Sequence, residues 1–146
     1  MFKLDPTLQQ DTFTLGDFPL CRLLLMNDAR YPWFVLVPRR EEVSEPFQLE
    51  TADQQRFWQE TLQLAEQLKD VFKADKMNVA ALGNITWQLH MHVIVRKKTD
   101  AAWPAPIWGR QPMQPYAPEQ VEQIRERLAL VLGGNFVAEV ADGPDA

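Results

Sequence analysis

A chain of 146 residues with 46% hydrophobic side chains is long enough to bury one real core, which excludes disorder over most of its length. A formal charge of −5 argues against a protein whose main business is gripping a nucleic-acid backbone, although a small anionic ligand needs only local donors. A single cysteine rules out an internal disulfide and suits a reducing cytoplasm, and no apolar run approaches a membrane span or a secretory signal.

Residues 2–18 read as a lead-in with little core of its own, in which 11–15 alternate weakly as an edge strand before a Gly16-Asp17 turn. Residues 20–26 form a buried-strand pattern that Asn27-Asp28-Ala29-Arg30 breaks, and residues 33–37 resume as a second strand, most simply joined as a hairpin. Asn27, at a strand end, is a turn former through its short polar side chain. A charged connector follows over 38–50. Thr51-Ala52-Asp53-Gln54 then has the form of a capping box and opens a helix to about Phe72. Its apolar positions Phe57, Trp58, Thr61, Leu64, Ala65, Leu68, Val71 and Phe72 recur at three and four, so its Trp and Phe are read as core.

Residues 76–82 form the next strand. Gly83-Asn84 turns the chain back, either as a plain hairpin turn or as a glycine-dependent nest of N–H groups that could receive a phosphate, with Gly83 free to go left-handed. The next run, Gln88-Leu89-His90-Met91-His92-Val93-Ile94-Val95-Arg96, contains the only two histidines of the chain. Its composition is that of a strand. Alternation puts Leu89, Met91, Val93 and Val95 on one face, and Gln88, His90, His92 and Ile94 on the other, about 6.5–7 Å apart. Such a pair of histidines fits incidental surface residues, two ligands of a metal whose others would be Cys21 or carboxylates, or a nucleophile with a neighbouring donor; spacing does not choose.

Beyond Arg96 the chain enters an ordered or semi-ordered proline-rich loop, Trp103-Pro104-Ala105-Pro106-Ile107-Trp108-Gly109. Pro118 and Gly133-Gly134 bracket a second amphipathic helix with Val121, Ile124, Leu128 and Val131 or Leu132 on one face. Residues 135–140 suit a last strand, and 142–146 should fray. The expected architecture is α+β: an antiparallel sheet of about five strands with two main helices packed mainly on one face, in a single domain over 1–146 whose core covers about 11–140.

Met77-Asn78-Val79, Leu82-Gly83-Asn84, the Gln88 to Ile94 run and Arg96 together resemble the histidine triad (HIT) family. Its signature alternates three histidines with apolar residues after a Gly-Gln turn. Here Gly83-Asn84 stands where Gly-Gln is usual, and Gln88 where the first histidine is usual. The likeness extends over roughly residues 15–109, including Met26-Asn27-Asp28, the strand before Arg39, and Trp103-Pro104. It points to the branch similar to bacterial diadenosine tetraphosphate hydrolases.

The resemblance implies a homodimer with a continuous sheet, and a nucleotide hydrolase or transferase working through a nucleotidyl-histidine intermediate. Its substrate would be a dinucleoside polyphosphate or a nucleotide phosphoramidate. The middle histidine, here His90, would attack the α-phosphorus; His92 would donate to a phosphoryl oxygen or the leaving group. Gln88 would buttress the site without titrating. Gly83 and Asn84 would hold the phosphate, Asn27, with Asp28, the ribose, and Asn78 would support the loop or reach the phosphate. No cofactor, metal, polymeric nucleic acid or membrane enters this expectation. The rival is a nucleotide-binding or interaction module that keeps the pocket without useful turnover, for which Gln88 is the motive.

Overall fold

The computed structural model describes residues 1–110 and 112–139. In chain order the elements are α1 (Pro6–Asp11), β1 (Thr12–Asp17), β2 (Cys21–Met26), β3 (Trp33–Pro38), α2 (Thr51–Phe72), β4 (Lys76–Ala80), β5 (Met91–Arg96), α3 (Pro118–Leu132) and β6 (Val137–Ala138). The six strands form one antiparallel sheet in the order β4-β5-β3-β2-β1-β6, so the α+β expectation holds, with the expected last strand present as the two-residue β6.

The sheet is built outward from β2, β3 and β5, whose Leu, Val and Phe residues are buried on both faces. On one face Leu23, Leu25, Phe34, Leu36, Met91, Val93 and Val95 pack against Phe57, Leu64 and Leu68 of α2 and Val121, Leu128 and Leu132 of α3. On the other, Leu24, Trp33, Val35, Val37 and Ile94 are covered by Leu8 of α1 and by Tyr31, Ala102 and Ile107 from loops. The alternation along β5 is therefore as expected, with His92 on the loop-covered face away from α2. Val35 lies opposite His92, and Trp33 opposite Ile94.

Several local expectations are corrected. The lead-in contains α1, capped by the Asp5 side chain on the Thr7 N–H at 2.8 Å, and it buries Leu8. Gly16 lies inside β1, at a register shift, where a Cβ would come within 2.4 Å of the Val137 carbonyl of β6. The N-cap of α2 is Glu50 and not Thr51, without a side-chain cap; Gln54 instead folds back to the Leu49 carbonyl at 2.8 Å. Trp58 is 49% exposed and is not core. In α3 the expectation of Val131 or Leu132 is met by Leu132, which turns inward. β4 ends at Ala80 and β5 begins at Met91, so residues 81–90, with Gly83, Asn84, Gln88, Leu89 and His90, form a long connection and not a tight hairpin. Residue 140 of the expected last strand and the expected frayed end lie outside the described residues.

Candidate functional site

His90 and His92 stand side by side at the start of β5, both nearly buried, with ring centroids 4.8 Å apart in an edge-on arrangement. The hydrogen bonds of each ring assign its proton. His90 Nδ1 meets the Gln88 main-chain carbonyl at 2.7 Å; a carbonyl only accepts, so Nδ1 carries the hydrogen and Nε2 keeps the lone pair. At His92 the order is reversed. The indole of Trp33, a donor only, gives its Nε1–H to Nδ1 at 3.0 Å, so Nε2 carries the hydrogen and donates to the Leu82 carbonyl at 3.1 Å. Trp108 closes the far side of His92, edge-on at 5.2 Å, and its Nε1 is buried with no hydrogen-bond partner among the described residues.

Electrostatics hold both rings neutral. Burial lowers the His90 pKa from its ordinary 6.5, against the raising effects of the Gln88 carbonyl, the Asp5 charge and the Leu82 carbonyl. Burial does the same to His92, aided by His90 and opposed by Leu82, and brings it down to about 4.

His90 opens into a cleft of about 460 Å³ shared by Ser44, Glu45, Gly83, Asn84, Trp87 and Gln88. Gly83 sits directly over the His90 ring: a Cβ there would lie 3.3 Å from Cε1 and 2.6 Å from the Thr86 carbonyl. Closeness, not a left-handed backbone, is what demands glycine, because the glycines with positive φ among the described residues are Gly16, Gly109, Gly133 and Gly134. Asn84 is exposed on the same cleft, and Trp87 stands 75% exposed at its wall.

The structure thus gathers His90, His92, Gly83, Asn84 and Gln88. It does not bring the other expected ligand residues to this cleft. Asn27 accepts the Tyr116 N–H on its Oδ1 at 2.8 Å. Asp28 is buried and binds the Arg30 guanidinium through both oxygens, at 3.0 and 2.7 Å. Burial pushes its pKa upward, but the Arg30 bonds and the Gln114 N–H hold it below 3.8. Asn78 accepts from Arg96 Nη1 at 2.8 Å, at the far end of β5. Gln88 is present, yet its side-chain amide turns to the amino-terminal arm, bonding Asp5 N and Lys3 O.

Residues that sequence reasoning did not assign also shape the site. Trp33 is the donor that sets the His92 tautomer, and its signal was faint: an aromatic on a neighbouring strand, on the sheet face that carries His92. Leu82 acts through its carbonyl, which no side-chain pattern reveals. Asp5, Ser44 and Glu45 arrive from other segments, and Trp87 from the 81–90 connection itself. Among the described residues no group of three or more His, Cys, Asp and Glu side chains is placed to hold a metal ion.

Comparison with known proteins places this geometry. The HIT domain model matches residues 7–99. A histidine triad protein from Marinobacter aquaeolei is 47% identical, covers 90% of this chain and 96% of its own, and superposes with a TM-score of 0.88. One from Sinorhizobium meliloti is 40% identical over 90% and 97% of the two chains, also at 0.88. A histidine triad nucleotide-binding protein from Sulfolobus tokodaii, 14% identical over 83% of each chain, shares the fold at 0.59. A search of curated proteins returned no match. An antiparallel sheet with its two long helices on one face and paired imidazoles at the start of an inner strand defines the class, that of nucleotide-binding proteins which are generally hydrolases or transferases. The chain belongs to the histidine triad family.

Proposed function

We propose that this protein is a nucleotide hydrolase or transferase that cleaves at the α-phosphate through a nucleotidyl-His90 intermediate. Its substrates are a dinucleoside polyphosphate, as in the diadenosine tetraphosphate hydrolase-like branch, or a nucleotide phosphoramidate. The observation that carries this reading is the His90 tautomer. A ring whose Nδ1–H is fixed on a main-chain carbonyl presents an Nε2 lone pair, and burial keeps it unprotonated at neutral pH.

The lone pair attacks phosphorus, the bond to the leaving group breaks with its electron pair, and the ring becomes a cationic phosphoramidate steadied by the Gln88 carbonyl. Water then attacks phosphorus, gives up a proton to solvent, and the P–N electrons return to Nε2, which restores the neutral ring. An arriving phosphoryl oxygen competes with the Leu82 carbonyl for the His92 proton, which is how His92 meets the developing charge. Gly83 leaves room above the ring, and Asn84 can present its amide from the cleft. The first triad position acts on His90 through its carbonyl, a group that every residue has, so Gln88 preserves it.

Incubation with a nucleotide labelled at the α-phosphate, followed by rapid acid-free quench, tests the proposal. Wild type should yield a covalent adduct that His90→Ala lacks, with turnover lower by about a thousandfold or more. Neither adduct nor turnover across dinucleoside polyphosphates and phosphoramidates would leave the rival, a binding module without chemistry. We further propose a cytoplasmic homodimer that joins two sheets at β4, which lies at an edge of the sheet. Light scattering should give twice the 16.9 kDa chain mass; a monomer at micromolar concentration opposes it.

A further inference from the structure

The Gln88 side chain ends in one acceptor and one amino group, and the amino-terminal arm engages both. Oε1 accepts from the Asp5 N–H at 2.8 Å, and Nε2 donates to the Lys3 carbonyl at 2.8 Å. A primary amide can grip two main-chain groups of one short stretch in this way because its donor and acceptor point in similar directions. The two nitrogens of an imidazole point apart and cannot. The rest of the arm is anchored as well. The Met1 ammonium pairs with Glu41, Arg22 lies over the Phe2 ring at 5.6 Å, and Phe2 and Leu4 pack on the core beneath. The Asp5 carboxylate caps α1 and is thereby fixed.

We infer that Gln88 is a positioning residue: it clasps residues 3–5 to the wall of the cleft, two positions before His90, and so fixes where the Asp5 charge stands relative to that ring. The meaning of the cleft rests on the function proposed above; the clasp does not. The charged and titratable groups around His90 are Asp5 from the arm, His92 from β5, and Glu45 from the connector along the cleft wall, while loop 81–87 contributes a carbonyl and no charge. No Lys or Arg is among the residues lining the cleft. Attack by Nε2 develops positive charge on a ring that burial has made reluctant to carry it. A fixed anion whose field reaches the ring offsets that reluctance as the charge appears. Free in solvent, the same carboxylate would be screened.

Ring titration of His90 by NMR, on the full chain without substrate, tests the clasp. Asp5→Asn keeps the helix cap but removes the charge, and should lower the His90 pKa. Gln88→Met keeps the side-chain length and the Asp5 charge but removes both bonds, and should lower it in the same direction. The double variant should go no lower than Asp5→Asn alone, because both act through one carboxylate. In Gln88→Met, amide exchange at Asp5 should quicken by about tenfold or more while β2 and β3 keep their protection, which reports an intact fold. Gln88→Ala provides the same comparison if the methionine packs badly. A lowered His90 pKa in Asp5→Asn with none in the Gln88 variants overturns the clasp. No change in Asp5→Asn overturns the role of the carboxylate. Failure to trap an adduct, by contrast, would overturn the proposed chemistry and leave these titrations as they are.

Discussion

At the scale of single residues, His92 is held by two bonds of opposite sense, one received from Trp33 and one given to Leu82. Both suit the neutral ring, and protonation would turn Nδ1 into a second donor facing the Trp33 donor. The consequence for stability follows from the direction of the shift. The folded state holds His92 near 4, while the unfolded chain takes up a proton near 6.5. Between those values the unfolded state binds more protons, so this contribution is fully present above 6.5 and is lost as the pH falls toward 4. The gap is worth roughly 3 kcal/mol at about 1.4 kcal/mol per pH unit, of which about 2 kcal/mol should disappear between pH 6.5 and 5. Urea unfolding across that range measures it. His92→Asn should unfold more easily at pH 7 yet show most of this slope removed, with His90 supplying the remainder in the same direction. A wild-type stability flat from pH 7 to 5 would falsify the reading of His92 as a ring kept neutral by burial.

At the scale of elements, what the sequence showed depended on how local the determining physics was. The 22-residue α2 ends at Phe72 as its apolar spacing says, and the parity of β5 separates Met91, Val93 and Val95 from His92 and Ile94. Three- and two-residue periods are written in neighbouring positions. The start of β5 was less legible. Leu89 continues the apolar alternation, but its N–H bonds the Val43 carbonyl of the connector at 2.9 Å, outside the sheet, and the strand begins two residues later. Side-chain destinations were least legible. Gln88 shares parity with the histidines, yet its amide meets groups 83 and 85 residues earlier in the chain, and Trp33 reaches His92 across 59 residues. Asn27 and Asp28 have the composition of a ligand pair and also of a turn. In the structure the turn's own Arg30 takes up Asp28, and the main-chain N–H of Tyr116, 89 residues further along, takes up Asn27.

At the scale of the whole molecule, one buried cation connects the sheet to the segment that finishes the site. Arg96 ends β5 with 2% exposure. Its guanidinium binds both oxygens of Asp100 at 2.8 and 3.1 Å, Asn78 of β4 at 2.8 Å and the Ala105 carbonyl at 2.9 Å, and it lies over the Trp103 ring at 5.5 Å. Asp100 in turn accepts the N–H groups of Lys97, Ala102 and Trp103. Burial pushes the Asp100 pKa upward, but the Arg96 bonds and these amides bring it below 3.8. This network fixes the fold of residues 97–105, and the chain then delivers Ile107 to the core and Trp108 to His92. A buried pair broken on one side leaves the other charge without its counterpart, a loss of roughly 3–5 kcal/mol. Arg96→Met should therefore destabilise by about that amount in urea titration, while adding Asp100→Asn should restore part of it by removing the stranded charge. Because the same network carries Trp108, the folded fraction of Arg96→Met should also lose activity, and fluorescence should report a more solvated tryptophan. A loss below about 1 kcal/mol, in the range of an exposed pair, would show that Arg96 does not anchor this half of the molecule.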